Sequence, residues 1–539
     1  MSQRYDCDVA IIGAGVAGAL VADALAGALS VMLLDAGPRV DRGEAYDRFL
    51  QAAIKTPQAP YPESDLYPFP RSEKIDDWYV QAGPETFAAT YLKLVGGTTW
   101  HWLGTTPRFV PDDFRLQSKF GRGLDWPLDY AALEPWYAKA EAALGVAGPE
   151  GEDPLSPRSG PYPLPPIPLS YLDRQLGEAL AGTPFADLRA TPQARNSIAY
   201  RDRPACCGSA SCIPICPIGA KYDAALHCQM AEAKGARLLD RAFVVALESG
   251  ADGEITRAKV RMTDGDEAWV YAKVFVLAAH AIETPRLLLN SASEAFPMGL
   301  ANSSDQVGRN LMDHPVQLSW ALSDAPLWPY RGPLSTSGIE TPRAGDFRAE
   351  RPAYRIEIQN AGWSWPTGAP ETTARALIAQ GLRGDALDHA LKNRSARQLA
   401  ISSLTEQLPN PENRIDLDPA LKDHYGVPRP RIRYAYDDYT QAGLEAARAA
   451  HNEIFRHVGT SEINHDKRVQ SAQHIMGTLR MGKDPALSVV DPDLRAHQHR
   501  NLFVMGSAVF PTGAVANPTL TIAALSLRAV DPIRRAASG

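Results

Sequence analysis

Cysteine is scarce: six residues in a chain of 539 cannot staple a disulfide scaffold. An excess of one charge is also missing. There are 55 Lys and Arg against 62 Asp and Glu, a formal net charge of −7, so no basic footprint for nucleic acid exists and a small molecule is the expected partner. Apolar runs of membrane length are lacking as well. The nearest approach, residues 9–34, is broken by Asp23 and four glycines, and the start Met1-Ser2-Gln3-Arg4-Tyr5-Asp6-Cys7-Asp8 has neither a basic n-region nor an Ala-x-Ala-like cleavage site. The reading is a chain with no direct membrane span and no signal peptide of its own. Internal repeats and low-complexity tracts are absent too.

The composition that remains, 45% hydrophobic and 22% charged, is that of a globular enzyme-sized body of about three or four domain-sized units. Proline crowds the stretch from Pro154 to Pro168, which predicts an extended connection over residues 147–170. Residues 316–469 mix Trp-containing segments with an Ala/Leu/Arg-rich stretch, Thr373 to Gln398, that predicts a helix; they lack glycine fingerprints and are expected to bind substrate. Residues 1–50, 80–130, 200–315 and 470–539 carry the nucleotide-binding elements, so a discontinuous domain is expected.

The first of those elements is explicit. A β-type run, Asp8 to Ile12, leads into Gly13-Ala14-Gly15-Val16-Ala17-Gly18; residues 19–29 suit a helix and Val31 to Leu34 a second strand. Gly13 permits the tight turn, Gly15 lets backbone approach a pyrophosphate, and Gly18 allows close helix packing, with the helix N-terminus facing the phosphates. Asp35 follows Gly15 by twenty residues, where a carboxylate can accept from an adenosine ribose. This predicts a Rossmann turn for a dinucleotide, FAD or NAD.

Three further segments carry a resemblance: Val95-Gly96-Gly97-Thr98-Thr99-Trp100-His101-Trp102, then Ala278-Ala279-His280-Ala281-Ile282-Glu283-Thr284-Pro285-Arg286, and near the end Asn501 to Ser507 with Asn517-Pro518-Thr519-Leu520-Thr521. Together with the fingerprint, and in this order, they resemble the glucose-methanol-choline oxidoreductases. The resemblance implies an α/β fold, with a Rossmann-like, discontinuous FAD-binding domain and an α+β substrate-binding domain. It also implies that Gly96, Gly97, Thr98, Gly506 and Ser507 lie on FAD, since small residues suit close backbone approach. His101 sits where pyranose 2-oxidase bonds a histidine covalently to flavin; a packed or hydrogen-bonding His101 is the other reading.

Gln473-His474-Ile475-Met476-Gly477-Thr478 is similar to the family's catalytic-histidine segment, which implies His474 as general base for the substrate hydroxyl, with hydride passing to the flavin. Asn517 matches the family's second residue, a His or Asn that steadies the substrate oxygen. Taken alone, His474 is one of twelve histidines. Trp328, Trp363 and Trp365 suit a sugar-stacking wall or, equally, the core.

Four of the six cysteines, Cys206, Cys207, Cys212 and Cys216, fall within eleven residues in a loop, 203–220, with a Cys-Pro step at its end, as in ferredoxin-like ligand loops. Structural zinc or a disulfide pair are the alternatives, though the spacing lacks paired Cys-x2-Cys units. Cys7 and Cys228 stand apart and read as ordinary thiols. The cluster closely resembles that of the catalytic subunits of bacterial FAD-dependent glucose, fructose and related sugar dehydrogenases. That likeness implies a [3Fe-4S] iron-sulfur cluster on Cys206, Cys212 and Cys216, with Cys207 the adjacent thiol and the choice within the Cys206/Cys207 pair open. It further implies a small accessory subunit, a cytochrome c-type acceptor, and a periplasmic location reached with a partner; a cytoplasmic enzyme fits the same start. Gln473 departs from those dehydrogenases, which place Asn before the histidine, and the surrounding motifs look more like pyranose oxidase. The expected activity is dehydrogenation of an aldose, pyranose, polyol or glycoside, with the oxidised carbon open. A flavin oxidase producing peroxide, and a non-redox lyase or binding subunit, are the competing functions.

Overall fold

The computed structural model describes residues 3–53, 59–61, 72–151 and 153–539; Met1 and Ser2 of the start read above lie outside them. The apolar run before the fingerprint extends to a strand, Gln3–Ile12, whose last four residues are buried. Gly13 then turns the chain at a φ of +104°, and the helix Val16–Leu25 follows. That helix stops earlier than its composition predicts because Gly27, at a φ of +86°, turns the chain back toward the strand Val31–Leu34. The two strands pair in parallel from Val9 with Val31 to Ile12 with Leu34, closing a Rossmann βαβ unit.

Glu267–Leu277 pairs in parallel on the other side of Gln3–Ile12, and Leu502–Val504, more than two hundred residues later, pairs in parallel with its end. Arg237–Leu239 forms one edge, and the antiparallel strands Ile255–Met262 and Ala242–Ser249 form the other, giving seven strands. The helix Val16–Leu25 packs against Ala225–Ala233 and Thr519–Ser538, so the first and last helices of the chain share one core. Ala17, Gly18, Ala19, Leu20, Val21, Ala22 and Leu25 are buried, so the helix is enclosed on nearly every side, and each of the larger side chains contributes roughly 1.5–3 kcal/mol by leaving water.

A second seven-stranded sheet runs in the order Thr460–His465, Pro315–Ser323, Gln398–Thr405, Tyr354–Gln359, Ser337–Ile339 and Leu188–Ala190, with Gln470–Ser471 also on Pro315–Ser323; all its pairings are antiparallel. One face rests on the helix Asp438–Val458. The period of two decides which side chains do so: Ile356 and Ile358 pack with Ile401 and Ile454, while Glu357 and Gln359 point to the opposite face and line a large cavity. The single helix expected from Thr373 to Gln398 is instead two helices, Glu371–Ala379 and Gly384–Ser395, and Gln398 already belongs to a strand. Gly381 and Gly384, both at positive φ, break it. The proline-dense stretch holds no helix or strand among its described residues.

Candidate active site

A cavity of about 2380 Å³ runs from the first glycine turn to the second sheet. Gly13, Gly15 and Asp35 line one end, Gly97, Thr98, His101, Gly506 and Ser507 line it further along, and His474, Asn517, Glu357 and Gln359 line the sheet side. The three fingerprint glycines divide their tasks. A Cβ on Gly13 would stand 2.4 Å from the Ala278 carbonyl oxygen and one on Gly18 would stand 2.0 Å from that of Gly13, whereas one on Gly15 would meet no protein atom within 4 Å. Gly15 faces open cavity at the uncapped start of a helix, which suits a phosphate-bearing ligand. Gly96 serves the turn rather than the wall: its N–H donates to the Ala14 carbonyl at 2.9 Å, its φ is +97°, and a Cβ would crowd the Trp100 indole.

Asp35 is buried; its two oxygens accept from the N–H groups of Ala14 and Gly37, both at 2.9 Å, and burial pushes its carboxyl up to about 6 against those bonds. Thr98 Oγ1 accepts from the N–H of Leu92, and Ser507 Oγ donates to the Ile475 carbonyl at 2.5 Å, tying the late glycine-serine turn to the segment that carries His474. His101 is buried, and burial together with the nearby Lys221 depresses it to about 3, so its imidazole is neutral. On the cavity wall the Glu283 carboxylate accepts from Tyr91 and pairs with Lys93 at 2.8 Å and Arg286 at 3.0 Å. Burial alone would raise Glu283; the two cations hold it well below the carboxylate range.

At the other end two histidines meet. His474 Nδ1 lies 2.9 Å from His314 Nδ1, and His314 Nε2 lies 3.2 Å from the Gly513 carbonyl oxygen. Asn517 Nδ2 is 3.5 Å from His474 Nε2, and the Asn517 amide lies near the Glu357 carboxylate and favours its charged form. The Asn517 amide oxygen is buried without a protein partner among the described residues. Beneath the pair, Asp313 accepts from the backbone N–H of His314 at 2.7 Å and of His474 at 2.8 Å, and from Ser471 Oγ, so one carboxylate holds both histidine backbones. Burial raises Asp313 to about 6, lowers His314 to about 4 and, together with His314, carries His474 well below 6.5. Glu357 is held by Arg355 Nη1 at 2.6 Å, and Gln359 donates to Ser402 Oγ at 2.9 Å.

Sequence reasoning missed Asp313, His314, Glu357 and Gln359. For the last two a signal existed, the alternation Arg355-Ile356-Glu357-Ile358-Gln359, which places three polar residues on one face of a strand. The three tryptophans do not form one wall. Trp363 is core, donating to the carbonyls of Ala321 and Leu399; Trp328 is exposed away from the cavity; Trp365 alone lines it.

Cys206, Cys207, Cys212 and Cys216 line a second cavity of about 10 Å³, closed on the inner side by Arg195 and Lys221. Among the described residues no three or more His, Cys, Asp or Glu side chains stand together as a metal-binding group. Backbone N–H groups of Gly208 and Lys221 reach the sulfurs of Cys206 and Cys216 at 3.4 and 3.5 Å, and Cys212 donates to the Ser209 carbonyl. The same loop borders the large cavity through Ser209, Ala210, Ser211, Ile213 and Pro214. Cys228 is buried, and Cys7 partly buried; each donates to a backbone carbonyl, as expected of ordinary thiols.

The chain has known relatives. Models of the GMC oxidoreductase family match residues 182–316 and 409–526. The fructose dehydrogenase large subunit of Gluconobacter japonicus is 38% identical over 543 aligned residues, covering 99% of this chain and 98% of its own. The chain belongs to the GMC oxidoreductase family. It is similar as well to paromamine 6'-oxidase of Streptomyces fradiae, 29% identical over 98% of this chain and 91% of that one. The same holds for 2-methyl-1,2-propanediol dehydrogenase of Mycolicibacterium austroafricanum, 30% identical over 83% and 82%. Among solved structures, pyridoxine 4-oxidase from Mesorbium loti shares the fold, with a TM-score of 0.65 at 21% identity over 98% of this chain and 99% of that one. As a GMC oxidoreductase the chain is an FAD-dependent enzyme acting on CH–OH groups, and the open approach at Gly15 fits the cofactor. Among the described residues no helix is long and apolar enough to cross a membrane.

Proposed function

We propose that the chain is a sugar dehydrogenase that oxidises a CH–OH carbon of an aldose, pyranose or related polyol or glycoside. The observation that carries this reading is the convergence of His474, Asn517 and Glu357 at one end of the FAD cavity, with Asn517 facing His474 Nε2 at 3.5 Å. Bound FAD supplies the acceptor for the hydride and its electron pair. His474, neutral because burial opposes its charged form, takes the hydroxyl proton at Nε2, and Asn517 steadies the oxygen as charge develops. Glu357 and Gln359 offer polar atoms to neighbouring hydroxyls, and Trp365 an aromatic face. The likeness to a fructose dehydrogenase large subunit supports a sugar-like ligand.

We further propose that Cys206, Cys212 and Cys216 hold a [3Fe-4S] cluster, with Cys207 beside them. Support comes from four thiols facing one cavity, from backbone donors on two of the sulfurs, and from the buried Arg195, whose guanidinium would offset thiolate charge. The enclosed space is small, so a cluster would require the loop to open outward at its exposed outer half around Cys207 and Gly208. A cluster there would relay the flavin's electrons singly to a one-electron acceptor, such as a cytochrome c-type protein. A relative that is itself a large subunit supports a small accessory partner, and with it a periplasmic site of action. The test is anaerobic bleaching of the flavin by a panel of aldoses, ketoses, polyols and glycosides, followed by addition of cytochrome c or oxygen. Bleaching by one sugar class and recolouring by the cytochrome is expected. Rapid recolouring by oxygen alone would make the enzyme an oxidase, and no bleaching by any sugar would remove the substrate reading.

A further inference from the structure

The bonded pair His314–His474 carries more than proximity, because the partners at its outer end fix where every proton lies. His314 is fully buried and sits immediately before the strand Pro315–Ser323, 160 residues from His474 in the chain. Its Nε2 faces the Gly513 carbonyl oxygen at 3.2 Å, and a carbonyl can only accept. A neutral imidazole has one N–H, so in His314 that hydrogen is on Nε2 and the Nδ1 atom carries a lone pair. The 2.9 Å contact between the two Nδ1 atoms then needs its hydrogen from His474. The rings stand nearly perpendicular, at 89°. On the far side of His474, the nitrogen of the Asn517 amide, a donor only, faces Nε2 at 3.5 Å, as a lone pair there requires. The Glu357 carboxylate lies near the Asn517 amide and favours its nitrogen, the donor, on that side.

We propose that His314 is a positioning residue that sets the tautomer of His474: by donating to the Gly513 carbonyl and accepting from His474 Nδ1–H, it leaves the His474 Nε2 lone pair aimed into the cavity as the base. This rests on His474 being the base of the proposed reaction. The proton balance is simple. The substrate hydroxyl gives its proton to His474 Nε2, the resulting imidazolium keeps its Nδ1–H bond to His314, and FAD, when bound, would accept the C–H hydride with its electron pair. The titratable groups facing the pair are Asp313, which bonds both backbones, and Glu357 through Asn517; neither touches the imidazole nitrogens.

The tautomer is read directly by nitrogen NMR of the FAD-loaded enzyme labelled with 15N-histidine, with His474→Gln identifying the signals. Nε2 of His474 is expected to be the unprotonated nitrogen, and His314→Leu is expected to move or mix that assignment. His314→Asn, whose amide oxygen can stand where Nδ1 stood, is expected to keep it. In parallel, the anaerobic flavin-reduction rate at saturating sugar is expected to fall about 10²–10⁴-fold in His314→Leu, as for a base held in the wrong tautomer. KM should change less than about threefold, and His314→Asn should stay within about tenfold of the unmodified enzyme. A protonated Nε2 in the unmodified enzyme overturns the proposal, whatever the variants do. Equal losses in the Leu and Asn variants, with flavin content intact, overturn it as well and leave His314 a packing residue. If no sugar bleaches the unmodified enzyme, the sugar reading fails while the NMR result still decides the tautomer.

Discussion

Replacing each fingerprint glycine with alanine separates what the turn does for the fold from what it does for the cofactor. A methyl at position 18 starts 2.0 Å from the Gly13 carbonyl oxygen, against backbone that cannot rotate away, so the helix and the first strand must part. Overpacking of this kind costs about 1–3 kcal/mol. At position 13 the added atom stands 2.4 Å from the Ala278 oxygen and the φ of +104° adds strain of about 1–3 kcal/mol, for a sum of about 2–6 kcal/mol. Position 15 differs: φ is −76° and ψ −171°, which alanine adopts freely, and the methyl meets no protein atom. The protein should lose under about 1 kcal/mol there, the cost of a poorer helix N-cap. The methyl does, however, enter the space through which the FAD phosphates approach backbone N–H groups, and losing one charge-assisted bond costs about 1.5–3 kcal/mol, or about 10- to 150-fold in Kd. Denaturant unfolding and FAD titration of the three variants test this together. Gly15→Ala should unfold like the parent and bind FAD weakly, whereas Gly13→Ala and Gly18→Ala should unfold early. A Gly15→Ala variant that binds FAD normally, or is destabilised as much as Gly18→Ala, would refute the division.

Other expectations follow from the end of the cavity that holds His474. His474→Gln should slow anaerobic flavin reduction about 10²–10⁴-fold with FAD still bound, and a loss under tenfold would show that another group takes the proton. Because burial and His314 carry His474 below its usual range, its base form persists as pH falls, so it contributes no acid limb near 6.5, where an unshifted histidine would cost about tenfold between pH 7.5 and 5.5. Burial raises Asp313 to about 6, so its carboxylate is lost as pH falls through that value, and any acid limb there should vanish in Asp313→Asn; a limb that survives contradicts the assignment. Glu357→Gln should raise KM for the sugar about tenfold or more with a smaller effect on the reduction rate, and equal KM values would take Glu357 out of substrate binding.

The Rossmann turn was legible because its determinants are local: strand, three glycines and an acid within about thirty residues, each with a steric or hydrogen-bonding reason. The helical stretch after Thr373 was only half legible. Its composition favours helix throughout, but Gly381 and Gly384 at positive φ, and a strand that demands Gln398, override it. Trp363 and Trp365, two residues apart, fell on opposite sides of the core boundary, which composition cannot tell. Least legible was the support of His474. His314 lies 160 residues away and Gly513 another 199 from His314, so only the meeting of the two sheets' flanking loops brings them together. The cysteine loop was visible as a pattern, while the residues that close it from within, Arg195 and Lys221, were not.

The most direct measurement is an anaerobic reductive titration of the purified enzyme with its sugar, followed by absorbance and low-temperature electron paramagnetic resonance. The account predicts an oxidised three-iron signal before sugar, its loss together with flavin bleaching, and an uptake of about three electron equivalents per chain. Uptake of about two equivalents by a flavin without iron, recoloured at once by oxygen, would contradict it.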